Sequence, residues 1–156
     1  MTHAKGFSTL EALCALMLLN LLGMGLLLWQ WQALQAQQDA MAYQNAVELS
    51  HDLWQRMQLN ASAASHYQLG LNDAAPVTDC QAQACSPALW AQADLAAWQG
   101  ELQLRIPGAK AQLDNLSTGK VQLALVWPSQ VSDSSSNESG HPCPTKYRCW
   151  QTTWSM

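Results

Sequence analysis

The chain has 156 residues, a length that fits one domain with at most a short appendage. Apolar residues make up 49% and charged residues 12%, which excludes wholesale disorder. The formal net charge of −4 offers no basic footprint for direct binding of nucleic acid. The mean hydropathy of −0.12 averages two different parts, a charge-free apolar run near the N-terminus and a polar remainder.

The apolar run, residues 12–29, contains Asn20 as its one strongly polar side chain. As a helix these residues span about 27 Å, close to the hydrocarbon thickness of a bilayer, about 30 Å. Lys5 precedes the run, and Trp29 and Trp31 lie at its far end, at a place suited to the membrane interface. The pattern predicts a single-pass anchor in a lipid bilayer, with the N-terminus inside and a polar head outside the cytoplasm.

Two ordinary interpretations of this N-terminus compete with a third. A secretory signal peptide has a shorter apolar stretch and a cleavage site of small residues, and here only a poor match ends at Ala36. An ordinary signal anchor accounts for length and orientation but leaves Glu11 unexplained. A carboxylate at membrane depth is costly, so such residues usually have a partner or a function.

The third interpretation uses every residue of the segment. Lys5-Gly6 is followed by Phe7, and Glu11 is the fifth residue after Gly6, directly before the apolar run. This arrangement resembles the type III signal of type IV prepilins and pseudopilins. The resemblance implies cleavage between Gly6 and Phe7 by a prepilin peptidase and N-methylation of Phe7. Glu11 is then expected to pair with the Phe7 amine of a neighbouring subunit and to set the register of assembly.

The helix is expected to continue beyond the membrane. From Gln30 to about Leu59 there is no Pro or Gly, and apolar residues recur at three- and four-residue steps. The first half therefore predicts one helix of about 50 residues. We expect a cleaved leader at 1–6, a transmembrane and filament-core helix at 7–29, an amphipathic continuation at 30–60 and a globular head at 61–156.

Short elements are predicted in the head. Ser86 and Pro87 open a helix through about Gln99 that ends at Gly100. Alternating apolar residues predict three strands, at Leu102–Ile106, at Val121–Trp127 and at about Lys146–Trp154. Ser129–Gly140 is a Ser-rich loop. One long helix against an antiparallel sheet of three or four strands is an α+β fold.

This layering is also the pilin architecture, and the middle of the chain resembles a subgroup, the PilV-type minor pilins. The matching positions lie at the helix end and in a Cys-Pro-Trp block: Asp52, Leu53, Arg56, Met57, Asn60, Cys80, Cys85, Pro87, Asp94, Leu95, Trp98, Leu102 and the Ile106-Pro107-Gly108 turn. Trp54, Gln55 and Ala109 depart from that pattern, and Ser129–Met156 has no counterpart.

The resemblance implies a non-enzymatic subunit without cofactors or metal. Its partners would be other minor pilins, the major pilin, the prepilin peptidase and the inner-membrane assembly platform. Such subunits form a tip or initiation complex that primes pili used in adhesion and twitching motility. Rival functions are a minor pseudopilin of a type II secretion system and, in a different class, a membrane-anchored adhesin or enzyme.

Five cysteines agree with an oxidising compartment for the head. Cys14 lies in the apolar run, which leaves Cys80, Cys85, Cys143 and Cys149 with three possible connectivities. The local pairs are favoured because each brackets a turn-like segment. A zinc site that adds His141 is the rival, although structural zinc sites generally have closer cysteine spacings.

The remaining patterns carry less information. Five tryptophans could form a sugar-binding surface, but filling the core of a small head is the favoured interpretation: Trp90, Trp98, Trp127, Trp150 and Trp154. The histidines are scattered, and the chain has neither a nucleophile elbow nor a phosphate-binding Gly-rich loop.

Overall fold

A computed structural model describes residues 9–80, 82, 84–116, 119–129, 143 and 146–155. The expected leader and its cleavage site at Gly6 and Phe7 lie outside these residues, as does nearly all of the Ser-rich loop. The chain divides into two compact units, residues 1–38 and 39–156.

The described part of the first unit is entirely helical. It belongs to α1, which spans Thr9–Leu59, and the 51 residues of this helix confirm the predicted length. Every leucine from Leu10 to Leu34 is more than half exposed. By length and composition α1 is able to cross a membrane.

The second unit contains the rest of α1, a short 3-10 helix and an α+β head. After α1 come the 3-10 helix Ala61–His66, α2 at Pro87–Arg105, and strands β1 at Lys110–Leu116, β2 at Lys120–Pro128 and β3 at Tyr147–Ser155. The strands form one antiparallel sheet in the order β1-β2-β3. The predicted α+β, pilin-like class is confirmed.

The two helices and the sheet share one core. Buried residues recur along α1 at three- and four-residue steps, along α2, and at alternate positions of β1 and β2, and residues of the connecting segments join them. The residues from the helices and strands are Ala46, Leu49, Leu53, Met57, Ala91, Leu95, Trp98, Leu102, Ala111, Leu113, Val121, Leu123, Leu125 and Trp127. Burial of one helical stripe and one sheet face is what the two-layer arrangement requires.

The start of α2 is as predicted, and its end is not. Ser86 caps the helix, accepting from the Leu89 N–H, and Pro87 occupies the first turn. The helix passes Gly100 and ends at Arg105, so the predicted strand Leu102–Ile106 is wrong. Spacing of four, three and four residues from Ala91 to Leu102 keeps one helical face in the core, whereas Leu104 is 84% exposed.

A glycine sets the turn between α2 and the sheet. Gly108 has a φ of +77°, a left-handed conformation that favours glycine, and a Cβ there would meet the ring of Pro128 at 3.4 Å. β1 follows this turn, and the sequence patterns did not predict it. It pairs with β2 through Leu113 and Leu123, and on its other side Leu69 and Leu113 exchange both main-chain hydrogen bonds.

Candidate functional site

The first candidate site is the exposed apolar face of α1 in the first unit. Glu11 lies in the first turn of α1 and is exposed, surrounded in sequence by apolar residues. Asn20 is also exposed, and its Nδ2 donates to the Leu16 carbonyl oxygen at 2.8 Å. An apolar surface this large on one helix marks a membrane or protein contact. The structure thus presents one acid and one amide on a helix suited to lipid or to other helices.

The second candidate site is the junction between α1 and α2 in the second unit. Trp98 donates its indole N–H to the Leu49 carbonyl oxygen at 2.7 Å, wholly out of solvent. Arg56 pairs with Asp52 at 2.8 Å and lies 3.7 Å from Glu101. The Trp98–Leu49 bond and the Arg56–Glu101 contact join the two helices and fix their relative register, while Asp52 orients Arg56 from within α1.

The same junction ties the end of α1 to the start of α2. Asn60 donates through Nδ2 to the Pro87 carbonyl oxygen at 2.8 Å. The buried Tyr67 hydroxyl donates to Asp94 Oδ2 at 2.6 Å. Burial, followed by this hydrogen bond, raises the pKa of Tyr67 well above its ordinary value of 10.0. The phenol therefore stays neutral and acts as a donor.

An open cavity of about 290 Å³ borders this junction, lined by Arg56, Leu59, Asn60, Trp90 and Asp94. Arg56, Asn60 and Asp94 all take part in the contacts described above. The cavity walls are therefore part of the helix junction. Six of the matching positions from the sequence lie at this helix junction: Asp52, Arg56, Asn60, Pro87, Asp94 and Trp98.

Two disulfides lie in the head. Cys80 bonds Cys85 and Cys143 bonds Cys149, at sequence separations of 5 and 6 residues. These are the two local pairs that the spacing favours. Cys14 is a free thiol on the exposed part of α1. Within the described ranges no group of three or more His, Cys, Asp or Glu side chains could hold a metal ion. His141, the remaining proposed zinc ligand, lies outside those ranges.

The tryptophans fall into three groups. Trp98 and Trp127 are buried in the core, as favoured, while Trp150 and Trp154 are partly buried against it and Trp90 is 46% exposed. Trp54 stacks on Trp154, with ring centroids 5.3 Å apart and planes at 23°. The sequence patterns missed this pair, although both partners lie where the chain departs from the PilV-type pattern.

A polar contact also joins the start of the second unit to the sheet. The Ser129 hydroxyl donates to Asp39 Oδ2 at 2.8 Å, and Arg148 Nε lies 3.7 Å from the same oxygen. Asp39 is in α1, Ser129 follows β2 and Arg148 is in β3. The contact fastens the helix to the end of the sheet that carries Cys149.

The chain combines a long helix that is apolar in its first part with an α+β head. Residues 29–98, slightly less than half of the chain, match a family model, Tt1218-like, described as type IV pilin Tt1218. The matched region includes the head part of α1, the Cys80–Cys85 bridge and most of α2, and it supports a type IV pilin. No curated protein and no solved structure is significantly similar to the chain.

Proposed function

We propose that the chain is a minor pilin, a non-enzymatic structural subunit of the complex that initiates or caps a type IV pilus. The observation that carries the proposal is an exposed apolar stretch of α1 in a chain whose residues 29–98, from α1 into α2, match the type IV pilin family model. The apolar part of α1 anchors the subunit in the inner membrane before assembly. The head, with its disulfides, then lies in the periplasm and later on the pilus.

Processing at the N-terminus makes this helix competent for assembly. Cleavage between Gly6 and Phe7, followed by N-methylation, leaves a cationic amine on Phe7. Glu11 is four residues away, one helical turn, and faces a similar direction. In a bundle of such helices the Phe7 amine of one subunit neutralises Glu11 of a neighbour. Because an unpaired charge in lipid is far more costly than a paired one, the pair selects the register.

Complementation of a strain that lacks the gene tests the proposal. Wild type is expected to restore surface pili, and the subunit is expected in sheared pili at low abundance. Glu11→Ala is expected to remain in the membrane and to be lost from pili. Glu48→Ala is the matched control because it removes another acid from the same helix. The Glu48 side chain is 67% exposed and pairs with Arg105 in the head.

Three outcomes contradict the proposal. Glu11→Ala entering pili as well as wild type would remove the register role. Normal pili in the deletion strain together with a defect in protein secretion would point to a pseudopilin. A chain that stays in the membrane with an intact N-terminus and binds a ligand through its head would indicate the adhesin or enzyme class.

A further inference from the structure

Asn20 is a polar side chain at the centre of a surface that is otherwise apolar. Its Nδ2 is satisfied by the Leu16 carbonyl oxygen at 2.8 Å, and no donor to its Oδ1 is found among the residues that the structure describes. In hydrocarbon an amide oxygen without a donor is strongly unfavourable, because no water is available to replace it. The Asn20 amide oxygen is therefore expected to accept a hydrogen bond from a partner at the same depth in the membrane.

The residues around Asn20 form a seam along one side of α1. Spacings alternate between four and three residues, which is the repeat of a left-handed helix pair. The seam consists of Leu16, Asn20, Gly23, Leu27, Gln30 and Leu34. Four of its members line a groove in the helix surface: Asn20, Gly23, Leu27 and Gln30. At Gly23 no atom lies within 4 Å of where a Cβ would stand, so another helix has room to approach the backbone.

The seam is separate from the face that carries Glu11. Nine residues, or two and a half turns at 3.6 residues per turn, divide Glu11 from Asn20, so the two side chains point to opposite sides of α1. Gly25 is likewise on the side away from the seam. A helix that uses Glu11 for register in a filament thus keeps the Asn20 side for a different contact.

We propose that the seam binds the same seam of a second copy of this chain, forming a parallel dimer in the bilayer. An amide is both donor and acceptor, and two copies inserted in the same orientation bring Asn20 opposite Asn20. Gln30 lies ten residues further along, about 15 Å up the axis, and supplies a second self-complementary pair. The proposal rests on the membrane location given under the proposed function but not on pilus assembly.

Site-specific cross-linking of the full chain tests the dimer. Two differently tagged copies are expressed together in a bacterial host without type IV pili, in a Cys14→Ser background that removes the free thiol. One pair carries Leu16→Cys, on the seam, and the control pair carries Leu18→Cys, two residues on and about 200° round the helix. Isolated membranes are oxidised with copper phenanthroline. We expect a disulfide-linked species with both tags from Leu16→Cys and only background from Leu18→Cys.

Substitutions on the seam then identify what holds the dimer. Asn20→Leu in the Leu16→Cys background is expected to weaken dimerisation by about 3- to 20-fold, the range of interhelical hydrogen bonds in membranes. At an expression level where only a minority of the chain is cross-linked, the cross-linked fraction falls by the same factor. Gly23→Leu is expected to abolish it by blocking close approach. Gly25→Leu, an identical change on the other side, is expected to leave it unchanged.

Alkaline extraction of the membranes separates the possible failures. A chain that stays in the membrane but cross-links equally from Leu16→Cys and Leu18→Cys, or from neither, overturns the dimer and leaves the proposed anchor intact. Equal cross-linking of wild type, Asn20→Leu and Gly23→Leu also overturns it. A chain extracted as a soluble protein contradicts the anchor, and the dimer with it.

Discussion

The indole N–H of Trp98 in α2 donates a hydrogen bond of 2.7 Å to the main-chain carbonyl oxygen of Leu49 in α1. Both residues are almost completely buried, and 49 positions separate them in the sequence. A buried bond of this kind fixes the axial register of the two helices, because sliding one helix along the other would leave the indole donor unsatisfied. It therefore fixes the position of α2, in the head, relative to the pilin-like helix α1.

Replacing the indole of Trp98 tests how much this hydrogen bond stabilises the fold. We expect Trp98→Phe to lower the free energy of unfolding by about 2–4 kcal/mol, since it removes the hydrogen bond and leaves a cavity. Trp90→Phe, at a half-exposed site on the same helix, is expected to change stability by no more than about 0.5 kcal/mol. Chemical denaturation of the detergent-solubilised chain measures both. Equal losses from the two variants would contradict the role of the buried bond.

The stacked pair Trp54 and Trp154 is expected to be energetically coupled. Each indole is partly exposed, and the offset stacking holds β3 against α1. A double-mutant cycle with alanine is expected to give a coupling free energy of about 0.5–1.5 kcal/mol. The cycle of Trp54→Ala with Val77→Ala, at a site that is 93% exposed, is expected to be additive. Additivity in both cycles would show that the stacking contributes nothing.

Tyr67 predicts a pH dependence at the alkaline end. Burial and the hydrogen bond to Asp94 raise the pKa of Tyr67 above its ordinary value of 10.0, so folding favours the neutral phenol. Its contribution is complete below pH 10 and decreases as pH rises further, because the unfolded chain then loses the proton first. Tyr67→Phe is expected to cost about 1–2 kcal/mol at neutral pH. The difference from wild type, followed by denaturation from pH 7 to 11, should shrink above pH 10, and a constant difference would contradict the account.

The two disulfides are expected to contribute comparably. They close loops of similar length, at separations of 5 and 6 residues. The loop-entropy relation gives about 2 kcal/mol for each bridge. Paired serine substitutions at Cys80 and Cys85, or at Cys143 and Cys149, should therefore lower the midpoint of denaturation by similar amounts. If all four head cysteines of the oxidised chain reacted with a thiol reagent, the disulfide pairing would be contradicted.

Much of the fold follows from local patterns in the sequence. The length of α1, its end near Leu59 and the start of α2 at Ser86-Pro87 depend on periodicity and capping, which act over a few residues. The strands β2 and β3 were predicted for the same reason. Helix α2 continues beyond its predicted end at Gly100. The exposed Gly100 destabilises the helix by only about 1 kcal/mol, which is less than the stabilisation from burying Leu102.

The remaining features depend on tertiary contacts that no local pattern contains. β1 carries Asp114 and Asn115, which disfavour strands, and it forms because β2 on one side and Leu69 on the other pair with it. The bond from Trp98 to Leu49 and the stacking of Trp54 on Trp154 join residues 49 and 100 positions apart. Sequence spacing cannot select such partners.

N-terminal mass spectrometry of the chain isolated from membranes tests directly whether the chain is a processed pilin. The expected result is a mature chain that begins at N-methylated Phe7, with Gly6 and the residues before it removed. An intact Met1, or a chain cleaved after Ala36, would contradict the assignment as a processed pilin.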